Sequence, residues 1–193
     1  MNKLTLINLP IFITLIRLLT ALFLLPFLFT YIFALNSIVL NILLAIFFIL
    51  ISITDFFDGF LARKYGQETI IGGLLDPVAD KFLLLSSIVT LVYINKIFFY
   101  IAIIFLAREF FVMGLRQYAL MSGIKINVIK SAKIKTFMQF LYLTIVIINN
   151  NLYLLNILEY IFLFIALFFS LFSLLEYYLI FMNNVRYIME VKK

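Results

Sequence analysis

The chain has 193 residues, of which 66% are apolar and only 12% charged, with a mean hydropathy of +1.22. A soluble domain of this size carries about 45–50% apolar and about 25% charged residues. The polar surface is too small to cover a water-soluble globule, which excludes intrinsic disorder, a nucleic-acid-binding domain and a secreted disulfide scaffold and leaves an integral membrane protein. With no Cys and no His there is no thiolate or imidazole chemistry, so carboxylates and lysines must carry any acid–base or metal function. The net charge of +6 suits anionic head groups or an anionic substrate, and in a membrane protein it also reports topology.

A bilayer core of about 30 Å takes about 20 apolar residues of helix, and six segments qualify. The first covers roughly residues 11–33, with Arg17 near its start; it has spanning length and no small-residue cleavage site after it, so it reads as a span and not a signal peptide. The second, 38–62, carries Asp55 and Asp58 in its last two turns. The third covers 72–94, and the fourth, 98–121, contains Arg108, Glu109 and Arg116. The fifth, 133–148, is short; the sixth, 152–182, is long and holds Glu159 and Glu176. Turn signals separate them at Asn36-Ser37, residues 63–69, Asn95-Lys96, Ser122-Gly123 and residues 149–151, and Asn183-Asn184 follows the last. No internal repeat and no long connection is present, so residues 1–193 read as one membrane-embedded all-α domain, a bundle of six transmembrane helices.

Counting Lys and Arg outside these spans, with Lys133 and Lys135 at the entry of the fifth, fixes an orientation. One side holds Lys3, Arg63, Lys64, Lys125, Lys130, Lys133, Lys135, Arg186, Lys192 and Lys193; the other holds only Lys96. The positive-inside rule then places both termini, the 63–70 loop and the 122–135 loop in the cytoplasm, as an even number of spans requires.

Four of the nine acidic residues are the aspartates Asp55, Asp58, Asp76 and Asp80, within a stretch of 26 residues that also contains Glu68. Asp55 and Asp58 are spaced i, i+3 and share a helix face, with Gly59 and Ala62 following on it; Gly72, Asp76 and Asp80 repeat at stride four. A short loop makes the two helices antiparallel neighbours, so the four carboxylates are expected to converge near one membrane boundary. Such a set repels itself and is costly to desolvate unless cations neutralise it. Two divalent ions carry +4 against −4, and oxygen-only ligation suits Mg²⁺, Mn²⁺ or Ca²⁺ over Zn²⁺ or Cu²⁺. Paired ions of this kind serve phosphoryl transfer. Taken singly, Asp76-Pro77 also reads as an N-cap and N1 pair that starts a helix, and Asp55 and Asp58 as the polar end of a span. A divalent-cation transporter is a further reading of intramembrane carboxylates, although these sit at one end of their helices.

The order D-x2-D-G-x2-A-R-x8-G-x3-D-x3-D, filled by Asp55, Asp58, Gly59, Ala62, Arg63, Gly72, Asp76 and Asp80, resembles the signature of the CDP-alcohol phosphatidyltransferases. The resemblance implies a six-helix membrane enzyme, usually a homodimer, with two Mg²⁺ or Mn²⁺ ions per site and the active site at the cytoplasmic side of the inner membrane. It assigns Asp55, Asp58, Asp76 and Asp80 to the metals, and Gly59, Ala62, Arg63 and Gly72 to CDP-diacylglycerol. Asp80 resembles the family's general base; activation of the acceptor alcohol by the metal is the alternative.

Further stretches are similar to the branch of the family whose acceptor is sn-glycerol 3-phosphate and whose products are phosphatidylglycerophosphate and CMP. They are Asn8-Leu9-Pro10, Leu15-Ile16-Arg17, residues 75–81, Ala107-Arg108-Glu109-Phe110, Gly114-Leu115-Arg116 and Lys133-Ile134-Lys135-Thr136 with Gln139. Ser131-Ala132 stands where many relatives have a glycine. Arg108, Arg116, Lys133, Lys135 and Thr136 are the candidates for the acceptor's phosphate. Against this, Arg108 can pair with Glu109, Arg116 can snorkel, and the lysines of 125–135 can serve topology alone. Phosphatidylglycerol, serine and inositol stay open as acceptors.

Overall fold

The computed structural model describes residues 15–64, 70–124 and 126–191, and the side chains of all of these except 54–80 and 186–191. The described residues form helices and turns and no strand. The helices are α1 (Leu15–Ala34), α2 (Ile38–Lys64), α3 (Ile70–Tyr93), α4 (Phe99–Met121), α5 (Lys130–Ile148) and α6 (Tyr153–Val191). Among them α1, α5 and the stretch Tyr153–Val185 of α6 are long and apolar enough to cross a bilayer, and Ile38–Ile53 and Lys81–Tyr93 are shorter apolar stretches of α2 and α3. The beginning of the first span at residue 11, Asn8-Leu9-Pro10, Lys3, the connection 65–69, Lys125, Lys192 and Lys193 lie outside the described residues.

The helices group into two units. In the first, α1, α2 and α3 pack on one another. Each turns a stripe of buried residues inward at three- or four-residue spacing: Ala21, Leu25 and Phe29 on α1; Asn41, Leu44, Ala45 and Phe48 on α2; Leu84, Ser87, Ile88 and Leu91 on α3. The Phe29 and Phe48 rings lie 6.4 Å apart between α1 and α2. α1 contains a π-helical turn, Thr20–Leu24, in which the Leu25 N–H donates to the Thr20 carbonyl five residues back. Pro26 follows at once. Its ring crowds the carbonyl four residues earlier, and a widened turn relieves that crowding. Hydroxyls within the helices bond to their own backbone: Ser87 donates to the Leu83 carbonyl at 2.8 Å and Thr90 to the Ser86 carbonyl at 2.6 Å. That satisfies a polar group without water.

Asparagines close three of the turns. Asn36, Asn95 and Asn151 have φ of 53°, 59° and 63°, the left-handed conformation that Asn adopts more readily than other residues with a side chain. At one of these turns Lys96 donates to the Asn149 carbonyl at 2.8 Å, and its ammonium stands 5.1 Å from the centre of the Phe33 ring. The C-terminal ends of α1, α3 and α5 therefore meet, as consecutive antiparallel helices require.

The second unit comprises α4, α5 up to Tyr142, and α6. Its core gathers Val112 and Ala119 from α4, Ile126 from the connection, Ala132 from α5 and Tyr177 from α6. The Phe105 and Tyr142 rings meet at 6.3 Å between α4 and α5. α4 ends on Gly123 at φ 79°, with Ile124 N–H on the Ala119 carbonyl and Gly123 N–H on the Leu120 carbonyl, a Schellman closure.

Two expectations change here. α5 begins at Lys130, three residues before the expected start at 133, so Lys130 belongs to the helix and not to the connection before it. α6 continues through Asn183-Asn184 to Val191, because Asn184 donates its amide to the Ile180 carbonyl at 2.7 Å and no Gly or Pro interrupts the run.

Gly123→Ala is expected to destabilise the protein by about 1–2 kcal/mol, the cost of a side chain in the left-handed region. Nothing lies within 4 Å of the added methyl, so no clash adds to it. A lower midpoint in thermal unfolding of the detergent-solubilised protein checks this.

Candidate active site

The eight signature residues fall on two consecutive helices that pack together: Asp55, Asp58, Gly59, Ala62 and Arg63 on α2, and Gly72, Asp76 and Asp80 on α3. Their side chains lie outside the described residues, and so does the expected convergence of the carboxylates. The backbone nonetheless decides one point. α3 begins at Ile70, so Asp76-Pro77 sits in a helix interior and is not an N-cap pair. α2 continues as a helix through Asp55 and Asp58 to Lys64. Asp55 and Asp58 are separated by about 4.5 Å of helix rise, and Asp76 and Asp80 by about 6 Å, with each pair on one face. Among the described residues there is no other group of three acidic side chains able to hold a metal ion.

The structure divides the five candidates for the acceptor phosphate. Arg108 on α4 and Lys135 on α5 are joined through one carboxylate. Glu109 Oε1 accepts from Arg108 Nη1 at 3.2 Å and also from Lys135 Nζ. Arg116, Lys133 and Thr136 are exposed. Helix geometry explains the split: residues 133 and 135 are about 200° apart around α5, so only one of them can face inward. Arg108 is held from its far side as well. Its Nη2 donates to Ser173 Oγ at 2.7 Å, and its guanidinium carbon lies 5.9 Å from the centre of the Tyr177 ring. Arg108 Nε is buried with no hydrogen-bond partner, as are both amide atoms of Gln139, one turn beyond Lys135, and the Ser170 hydroxyl.

Sequence reasoning gave α6 only length and hydrophobicity and left Glu176 without a role. α6 supplies Ser173 and Tyr177 to Arg108, and Glu176 accepts a 2.5 Å hydrogen bond from Ser131. The Tyr177 hydroxyl accepts from the Ile129 N–H at 3.4 Å. A signal existed: Ala166, Ser170, Ser173 and Tyr177 are all buried, at a spacing that marks one small and polar stripe on an otherwise apolar helix. Arg17, which the sequence left unassigned, is buried in α1.

Residues 7–172 match the CDP-alcohol phosphatidyltransferase family, a stretch that includes all eight signature positions. The chain is 38% identical over 149 residues to the CDP-diacylglycerol–glycerol-3-phosphate 3-phosphatidyltransferase of Rickettsia bellii, which covers 76% of this chain and 82% of that protein. It is 33% identical over 174 residues to the protein of the same name from Haemophilus influenzae, covering 88% of this chain and 91% of that one. A third, from Bacillus subtilis, is 36% identical over 106 residues and covers 55% of each chain.

The division of the lysines has a measurable consequence. Lys135→Met is expected to destabilise the protein by about 1.5–3 kcal/mol, because it removes a charge-assisted hydrogen bond to Glu109, which keeps Arg108 as its remaining partner. Lys133→Met, at an exposed position, is expected to stay within about 0.5 kcal/mol of the parent. Thermal unfolding of the two variants in detergent compares them.

Proposed function

The chain belongs to the CDP-alcohol phosphatidyltransferase family, and we propose that it transfers the phosphatidyl group of CDP-diacylglycerol to sn-glycerol 3-phosphate, releasing CMP. The observation that carries the acceptor is its likeness, over most of their length, to proteins that bear that activity in their names. The chain acts as one membrane-embedded domain over residues 1–193, with six spans, both termini in the cytoplasm and the site at the cytoplasmic face of the inner membrane. It works as a homodimer. The ten-to-one bias of Lys and Arg supports the orientation, and the meeting of the α1, α3 and α5 ends supports the alternation of the helices.

Dependence on a divalent cation goes with the family. Asp55, Asp58, Asp76 and Asp80 fit two Mg²⁺ or Mn²⁺ ions: the donors are all oxygen, they number four, and each pair shares a helix face. When bound, such ions neutralise the diphosphate and the charge that develops on it. Gly59, Ala62 and Gly72 leave the backbone open to the cytidine nucleotide, and Arg63 binds its diphosphate. Asp80 takes the proton from the acceptor's hydroxyl. The freed oxygen pair attacks the phosphorus that bears diacylglycerol, and the bond from that phosphorus to the CMP oxygen breaks. Arg108 and Lys135 bind the acceptor's phosphate, with Arg116, Lys133 and Thr136 at its outer side. Two cations suit a phosphate monoester better than serine or inositol, which offer no second anionic group of that kind.

The test is CMP release by the purified protein with CDP-diacylglycerol, Mg²⁺ and one acceptor at a time. Release is expected with glycerol 3-phosphate and not with phosphatidylglycerol, serine or inositol. Asp80→Asn is expected to lower the rate by about 10²–10⁴-fold. A chelator is expected to abolish activity and added Mg²⁺ or Mn²⁺ to restore it. Release with another acceptor alone would overturn the assignment of the phosphate pocket.

A further inference from the structure

Arg108 and Lys135 are almost fully removed from solvent, with side-chain exposures of 5% and 1%, whereas Glu109, which bridges them, is 18% exposed. The carboxylate is thus the open side of the cluster. An anion approaching from solvent meets Glu109 before it meets either cation, and Glu109 Oε1 already occupies the point where the two cations converge. A phosphate there and a carboxylate there exclude each other, by volume and by like charge. Arg108 does not depend on Glu109 for its position, since Ser173 and the Tyr177 ring hold it from the other side. Its hold on Glu109 is a single N–H, from Nη1 at 3.2 Å, so displacing the carboxylate costs Arg108 one contact and leaves Nη1 free for an incoming anion.

We propose that Glu109 is a resident counter-anion: it fills the phosphate position of the Arg108–Lys135 pair while the pocket is empty, and a phosphate monoester binds by displacing it. Glu109 then sets the affinity and the threshold for the acceptor. It offsets one of the two desolvated positive charges between turnovers, and it admits only a ligand whose charge outcompetes a carboxylate. Because it competes with the ligand and does not touch it in the bound state, Glu109 is a positioning residue. This rests on the assignment of Arg108 and Lys135 to the acceptor's phosphate.

The experiment uses the full chain in detergent at fixed Mg²⁺, with inorganic phosphate as the probe and calorimetry as the readout. Glu109→Gln is expected to bind phosphate roughly tenfold or more tightly than the parent, the scale of one charge–charge interaction at a partly exposed site. The double variant Glu109→Gln with Lys135→Gln is expected to lose that gain. A Glu109→Gln protein that elutes like the parent on gel filtration and binds phosphate no better, or worse, overturns the proposal. Should Glu109→Gln fail to fold, Glu109→Asp carries the test: its carboxylate is drawn back by one methylene and cannot serve both cations. Tightening of several-fold is then expected, and unchanged affinity overturns the proposal. Phosphate binding requires no turnover, so the two readings fail separately. A parent protein that releases no CMP with glycerol 3-phosphate counts against the acceptor, while the comparison of phosphate affinities still decides the role of Glu109.

Discussion

A single carboxylate oxygen organises the second unit. Successive residues on a helix point about 100° apart, so Arg108 and Glu109 leave α4 in two directions, one toward Ser173 on α6 and the other toward Lys135 on α5. The ion pair between the two neighbours then couples both contacts. Three helices are tied by one polar cluster, and the apolar residues around it, Val112, Ala119, Ala132 and Tyr177, complete the packing. Neither cation would be tolerated in this interior alone. The register of α4 against α5 is therefore specified by charge as well as by shape.

The two units differ in the charge that their sequences carry. In the second, the chain itself supplies opposite charges: Arg108 and Lys135 share Glu109, which leaves the cluster at +1 when empty. In the first, the signature places four acidic residues on α2 and α3, with Arg63 and Lys81 as the basic residues between Asp55 and the end of α3 apart from Lys64. That stretch carries five acidic residues, Glu68 included, against three basic ones, and dependence on a divalent cation goes with the family. The basic residues are instead gathered on α4, α5 and their connection, where a substrate with its own negative charge is the natural counterpart.

Much of this was legible in the sequence, because each feature was local. The six helices follow from apolar length, and the turns at Asn36, Asn95, Gly123 and Asn151 from residues that tolerate positive φ. The signature carboxylates follow from spacing alone. What was not legible depended on which way a helix faces. Lys133 and Lys135 look alike in a basic run, yet one is exposed and the other buried. The phase of α5 is set by partners on α4 and α6, which hydropathy does not encode. Glu176 and Ser131 are 45 residues apart and meet only through packing. Asn183-Asn184 misled for a different reason: Asn favours turns only when its side chain finds a better partner there than in the helix, and Asn184 finds one in the helix.

The distribution of helix-disfavouring residues points to the same place as the charges. Gly59, Gly72, Gly73 and Pro77 all lie inside α2 or α3. In a helix interior each glycine costs about 1 kcal/mol relative to alanine, and a proline about 3 kcal/mol. Pro77 in addition has no N–H to offer the Gly73 carbonyl four residues back. Nothing comparable occurs in α5 or α6, which contain neither residue. A chain selected for helix stability alone would not concentrate these costs in the stretch that carries all four signature aspartates. Small side chains and an unpaired backbone carbonyl are costly to a helix, and they are also what close approach of a nucleotide to the backbone requires. These costs fall in the stretch that carries the signature, and both of its helices pack on α1.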